Sequence, residues 1–398
     1  MFWQIISFIL LFFIIQYLYK RGKEKFTVHG VKTTTLYKEL YSTNEKLFNS
    51  STTALFFLGG NIQTIFIGTI DVILDLLNKC GINPYRFSYK RSIYELKDGG
   101  KIAIDNAIFK KSENINKNGR LKRKLLIIPG YTSYAEDFYL KDIISSLLDY
   151  YDIYVVTARG FGGIDLFNHV MISSYMEHDL AEYIEHFCDQ FSHEKVFIIG
   201  FSFGGMMFSK YLCNTKNIMP KNLVSTCAIS YPICIRETAE YTENILGGLY
   251  SWASCLNLRK CFFDNMEVIF KDPRLNKNKD EIIRDVTASR WSSNFDNAFT
   301  YKALGLESID QYYDDIKLQD KHFLNIKVPF ISIFAEDDPV VPINSVPIET
   351  MKKNKNIIVI TVTSGGHNAF YSGFIPRRWL MQPIKSFFEI TEETSVIN

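Results

Sequence analysis

The sequence predicts an α/β fold: a mostly parallel central sheet with helices on both faces, a helical cap inserted late in the chain, and an apolar helix at the N-terminus. Three observations carry this. Six short, continuously apolar runs recur between Lys124 and Gly366, and strands apolar throughout are those buried on both faces of a parallel sheet. Helix-like stretches separate most of them, the rhythm that winds such a sheet. An uncharged run, Phe2 to Tyr19, precedes everything else.

That first run, "FWQIISFILLFFIIQYLY", is followed at once by "KRGKEK". As a helix it would extend about 27 Å, close to a thin hydrocarbon core. A cleaved signal peptide has its charge before the apolar run and small residues after it; here the order is reversed. Residues 1–20 are therefore expected to be a transmembrane anchor. The cations on its C-terminal side place the main domain in the cytosol by the positive-inside rule, and the endoplasmic reticulum is one membrane that fits. Gln4, Ser7 and Gln16 make the run only moderately apolar, which leaves an interfacial helix or hairpin as the alternative. The sequon Asn49-Ser50-Ser51 is a weak argument against a cytosolic domain.

Residues 21–93 form a membrane-proximal segment with no clear strand alternation, and Asp71 to Cys80 reads as a short amphipathic helix. The α/β domain is expected over 94–398. It opens with "YELKDGGKIAIDNAIF", two alternating runs around Asp-Gly-Gly, which is a hairpin signal. Lys110 to Lys124 is a polar tract best read as a solvated loop. The apolar runs then begin at Lys124, Asp152, Lys195, Leu223, Val328 and Asn356, with helices expected at Phe138–Tyr150 and Met176–Phe191. From about 236 to 325 the rhythm breaks. That stretch has no strand run and is rich in aromatics, among them Tyr250, Trp252, Phe262, Phe295, Phe299, Tyr312 and Tyr313. It reads as a helical cap whose rings either form its own small core or wall an apolar cleft.

The 398 residues are 47% hydrophobic and 22% charged, with net charge +2. This is a globular composition with nothing that suggests a nucleic-acid partner. Seven cysteines, an odd number without metal-type spacing, read as reduced thiols. No cofactor or metal motif is present; "ARGFGG" (Ala158 to Gly163) lacks the spacing and lysine of a phosphate loop.

The stretch that carries chemistry is "VFIIGFSFGG", Val196 to Gly205. A strand run ends on G-x-S-x-G and a helix-like stretch follows. This is the context of a serine held on a sharp, strained turn, its oxygen aimed outward. The motif alone is common, and a serine alone is a poor nucleophile. It needs an imidazole base, and the base needs a carboxylate to fix its tautomer, in the chain order Ser, Asp, His. "FAEDDPVVP" offers Asp337 and Asp338 at the end of one late strand, and "TSGGHNAF" offers His367 after the last. Of the seven histidines only His367 follows both other partners. An oxyanion hole would use the backbone N–H of Phe203, after the serine, and of Tyr131, after the turn at Gly130.

With these residues in place the chain resembles a subgroup of the α/β hydrolases: YheT-like hydrolases, yeast ethanol O-acyltransferase/esterases, and membrane-anchored animal phospholipases and acylglycerol lipases. "GGNIQTI" (Gly59 to Ile65) is similar to the subgroup's G-H-x-Q-T block, "LKDGGKIAID" to its D-G-x-x-x-x-D-W block, and "PGYTS" to its turn after an early strand. Asn294 to Tyr313 resembles its F-D block ending in a double Tyr. The resemblance runs from about 55 to 390. It implies the triad Ser202, Asp338 and His367, the aspartate being the one directly before proline. Asn61 stands where the block has His, Met206 where Asn is common, and Asn106 where Trp follows the Asp. No histidine has an aspartate five residues on, so the H-x-x-x-x-D motif of some acyltransferases is missing.

The resemblance and the anchor together imply a serine hydrolase acting on carboxylic esters of lipids. Transfer of the acyl group to an alcohol is the alternative. A non-enzymatic receptor or scaffold would have no use for three ordered catalytic groups.

Overall fold

The computed structural model describes residues 2–21, 23–55, 59–80, 85–109, 123–173, 175–375 and 377–395. Nine strands form one sheet: β1 Phe26–His29, β2 Phe87–Glu95, β3 Lys101–Phe109, β4 Arg123–Ile128, β5 Tyr151–Thr157, β6 Val196–Phe201, β7 Leu223–Ile229, β8 Phe330–Ala335 and β9 Ile357–Val362. Their order is β1-β9-β8-β7-β6-β4-β5-β3-β2. β4 to β9 run parallel, and β1 and β3 pair antiparallel at the two sides. The six apolar runs are these six parallel strands. Each is buried on both faces because successive side chains enter different cores. In β4, Leu126 and Ile128 pack into one core while Leu125 and Ile127 pack into the other. The helices Phe138–Leu147 and Met176–Gln190 stand where expected, each a residue or more shorter at its C-terminus.

The segment 21–93 differs from its sequence reading. Phe26–His29 adds to the sheet against β9, with Phe26 opposite Val362. Four residues are too few to show a period, and the partner lies over three hundred positions away in the chain. β2 extends the hairpin back to Phe87, with Phe87 opposite Phe109. It is an edge strand with only Phe87 buried, so it carries almost no apolar alternation. The short helix read over 71–80 is the end of a longer one, Gly60–Lys79.

Phe2–Arg21 is a 20-residue helix. Among the described residues no helix is long and apolar enough to cross a membrane. The loop read over 110–124 lies, up to residue 122, outside the described residues. All seven cysteines are free; Cys80 is exposed and the others are buried. Residues 235–325 are helical, including Ile235–Asn244, Leu249–Asp264, Lys279–Ala288 and Ile309–Ile316. Phe262, Phe295 and Phe299 are buried against one another, with ring centroids 5.0 to 6.3 Å apart. Tyr250, Tyr312 and Tyr313 face a cleft over the carboxyl ends of the strands. Both readings of the aromatics thus hold, for different rings.

Candidate active site

Ser202 follows β6 directly and begins the helix Ser202–Cys213. Its φ is 49°, a left-handed conformation that costs a non-glycine residue energy and turns the side chain away from the helix. The glycines around it let the turn close. A Cβ on Gly204 would lie 2.0 Å from the Pro129 carbonyl oxygen, and one on Gly200 would lie 2.7 Å from the Gly205 Cα. Helix and strands approach here more closely than any side chain permits.

Three strand ends bring three residues together. The Ser202 Oγ is 2.9 Å from His367 Nε2, after β6 and β9 respectively. The other ring nitrogen, Nδ1, is 2.9 Å from Asp338 Oδ2 and 3.1 Å from Oδ1. Asp338 follows β8, is 2% exposed, and its Oδ1 accepts the backbone N–H groups of Val340 (2.7 Å) and Val341 (3.0 Å). Those two donors hold the carboxylate in place and leave Oδ2 to the imidazole. Tyr131 and Phe203 line the same cleft, their rings 4.9 Å apart. Phe203 lies in the first turn of its helix, where N–H groups lack an intrahelical acceptor. The geometry therefore allows one chemistry directly: removal of the Ser202 proton by an imidazole whose far nitrogen is held protonated by a carboxylate.

Asp337 takes a different part. Its Oδ1 accepts from Gly365 N (2.8 Å) and Gly366 N (2.9 Å), and its Oδ2 accepts from Ser364 Oγ (2.8 Å). It ties down the loop that carries His367. The "GGNIQTI" block does the same from the opposite side. Thr64 Oγ1 accepts the His367 N–H at 2.8 Å and donates to the Gly60 carbonyl at 2.7 Å. Gln63 Oε1 accepts the Tyr371 N–H at 3.0 Å. Arg378 completes the clamp, its Nε donating to the Ala369 carbonyl (2.9 Å) and its other nitrogens to the carbonyls of Asn368 and Tyr139. Asn61, where the resemblance expects His, accepts from the Tyr250 hydroxyl at 2.8 Å and so joins this helix to the cap. Sequence reasoning assigned no role to Gln63, Thr64 or Arg378; the block was the only signal for the first two, and nothing marked Arg378.

"ARGFGG" is a structural turn. Arg159, 3% exposed on its side chain, donates to Asp98 and Asp179 and so locks the β2–β3 hairpin tip onto the helix Met176–Gln190.

The cleft above Ser202 has a volume of about 350 Å³. Apolar groups dominate its walls: Ile67, Phe203, Ile235, Ala239 and Val340, with Tyr250, Tyr312 and Tyr313 from the cap. Two carboxyls, Asp137 and Asp296, also line the cleft. Asp296 opens a single π-turn, Asp296–Thr300, and accepts from Thr300 Oγ1 (2.7 Å) and the Tyr313 hydroxyl (3.2 Å). Burial pushes its pKa up to about 7, against the pull of those two hydroxyls. Burial likewise raises the Tyr131 phenol, helped by the nearby Asp296.

Residues 124–374 match the pattern of the α/β hydrolase fold. The chain is 24% identical over 344 residues to a monoacylglycerol lipase of Saccharomyces cerevisiae, covering 77% of this chain and 75% of the relative. It is 24% identical over 298 residues to the phospholipase ABHD3 of Homo sapiens, covering 73% and 68%. Among solved structures, an esterase of Pyrococcus furiosus aligns at 18% identity over 77% of this chain and 89% of its own, with a TM-score of 0.48. With the pattern matched over more than half its length, the chain belongs to the α/β-hydrolase-fold family.

Proposed function

We propose that the protein is a serine hydrolase that cleaves carboxylic esters of lipids through an acyl-enzyme on Ser202. The observation that carries this reading is the hydrogen-bonded run from Ser202 Oγ through His367 to Asp338 at the base of an apolar cleft. His367 Nε2 takes the serine proton as Oγ attacks the ester carbonyl, and the oxyanion that forms turns toward the N–H groups of Tyr131 and Phe203. The imidazolium, steadied by Asp338, gives its proton to the departing alcohol. Water, deprotonated by the same nitrogen, then releases the fatty acid and restores the serine. Lipid esters are favoured by the apolar walls, where each buried methylene contributes about 0.8 kcal/mol, and by the lipase and phospholipase relatives. The hydrolase domain takes in the strands from Phe26 onward, with its cap at about 236–325. Residues 1–20 anchor it in a membrane with the domain on the cytosolic side, for which the uncharged run and the cations after it are the support.

The test is kcat/KM across p-nitrophenyl esters from acetyl to palmitoyl, followed by acylglycerols and phospholipids in mixed micelles. Rates should rise beyond acetate and at least one glycerolipid should be cleaved. Rates falling steadily from acetate, with no glycerolipid cleaved, would refute the lipid reading. Product analysis with added alcohol separates hydrolysis from acyl transfer.

A further inference from the structure

The helix Gly60–Lys79 has two unlike faces. Its inner face serves the site: Gln63 and Thr64 hold the His367 loop, and Ile67 lines the cleft. Its outer face carries Ile62, Ile65, Thr69, Ile73 and Leu76, one stripe at helical spacing. Ile62, Ile65, Ile73 and Leu76 are 41 to 57% exposed. A surface helix on a globular protein ordinarily turns polar residues outward; this stripe has no charged position.

The stripe does not stand alone. Phe66 packs on Tyr371 with ring centroids 5.8 Å apart, which sets the helix beside a small hairpin, Tyr371–Ser372 paired with Arg377–Arg378, whose tip carries Phe374 and Ile375. Those two are 57% and 70% exposed. Phe374 in turn packs on Tyr17 of the N-terminal helix at 5.9 Å, where Leu11, Phe12, Ile15 and Leu18 are also exposed. Exposed cations border the patch: Lys23 and Lys25 at the foot of that helix, Arg377 beside the hairpin tip. Apolar side chains rimmed by lysine and arginine match a bilayer surface, with acyl chains below and anionic head groups above.

We propose that the outer face of Gly60–Lys79, with the tip Phe374–Ile375, is a second membrane-docking surface that lays the mouth of the cleft on the lipid layer. The inference rests on the anchor and lipid-ester reading above. Tyr17 lies three residues from Lys20, about 5 Å along a helix. A span ending there holds Phe374 and Ile375 at the boundary between head groups and acyl chains. A lipid can then pass from the layer along Ile67 toward Ser202 without crossing water.

The test uses the full chain with Cys80→Ser, reconstituted into phosphatidylcholine vesicles with and without phosphatidylserine. An environment-sensitive fluorophore is attached at Ile73→Cys, at Ile375→Cys, or at Ile218→Cys. Ile218 precedes β7, at the amino ends of the parallel strands and so away from the cleft over their carboxyl ends, and is the control. Labels at 73 and 375 should brighten about threefold, shift to the blue and be quenched by spin-labelled lipid, while the label at 218 stays in water. A label at 73 that behaves like the one at 218 overturns the proposal. In parallel, the triple variant Ile65→Ser, Ile73→Ser, Leu76→Ser should lose about tenfold in turnover of lipid in vesicles and change less than about twofold on dissolved p-nitrophenyl butyrate. Unchanged turnover on vesicles also overturns it. The labels need no turnover, so the two readings fail separately. Lipid-buried labels on a protein that cleaves no lipid ester uphold the surface and refute the substrate. Water-exposed labels on an active lipase do the reverse.

Discussion

Exchanging a single oxygen for an amide at Asp338 should silence the base without moving it. Asp338 Oδ1 accepts two backbone N–H groups, from Val340 and Val341, at 2.7 and 3.0 Å. In Asp338→Asn those donors select the amide oxygen for that position and turn the NH₂ toward His367 Nδ1, 2.9 Å from the present Oδ2. An NH₂ cannot accept a proton, so Nδ1 becomes the acceptor and Nε2 carries the hydrogen. The ring then faces Ser202 Oγ with a donor and cannot take its proton. A wrong tautomer of this kind costs about 10⁴-fold in kcat, or about 5 kcal/mol of barrier. Asp337→Asn is the control next door. Its amide oxygen can keep both the Gly365 and Gly366 N–H groups, and its NH₂ can donate to Ser364 Oγ. The loss there is that of a charge on hydrogen bonds that remain, about tenfold or less. The assay is steady-state hydrolysis of p-nitrophenyl butyrate by both variants, with melting curves to establish that both fold. Equal losses, or the larger loss at Asp337, would take Asp338 out of its place beside His367.

Three further outcomes are expected. Thr64→Val leaves the His367 N–H without its acceptor; kcat should fall about tenfold with KM little changed and Thr64→Ser should restore it, whereas an unaffected Val variant would remove Thr64 from the clamp. Asp296, held up near 7 by burial, stays protonated in the folded protein where the unfolded carboxyl, near 4, is already ionised. Stability should therefore fall as pH rises through that window and level off above it. Asp296→Asn should abolish this slope, so the variant gains on the wild type in Tm between about pH 5 and about pH 8, and parallel curves would contradict it. Gly204→Ala drives a methyl into the Pro129 carbonyl, a clash with backbone that cannot rotate away; a loss of at least about 3 kcal/mol is expected in urea denaturation, and an unchanged midpoint would show that the turn at Ser202 has room for a side chain there.

The parallel strands were legible because burial on both faces writes itself as an unbroken apolar run, and the serine turn because only glycine tolerates contacts such as that between Gly200 and Gly205. Chain order picked out His367, since the base must come after both partners. What stayed hidden was whatever depends on distant pairing or carries no apolar pattern. β1 is four residues whose partner β9 is remote in the chain, and β2 is an exposed edge with a polar face. The clamp on His367 escaped for the same reason. Thr64 and Arg378 are ordinary polar residues until the fold sets Thr64 against the histidine's N–H and Arg378 against the carbonyls that follow it. Asp337 and Asp338 look alike in sequence. They part only when the turn after β8 aims one at the imidazole and the other at the loop that carries it.

The most direct measurement is capture of the acyl group. The protein is mixed with p-nitrophenyl butyrate, quenched in acid during turnover, digested and mapped by mass spectrometry. A butyryl group is expected on the peptide bearing Ser202, with neither adduct nor turnover in folded Ser202→Ala. An adduct on another residue, or turnover that survives in Ser202→Ala, would contradict Ser202 as the nucleophile.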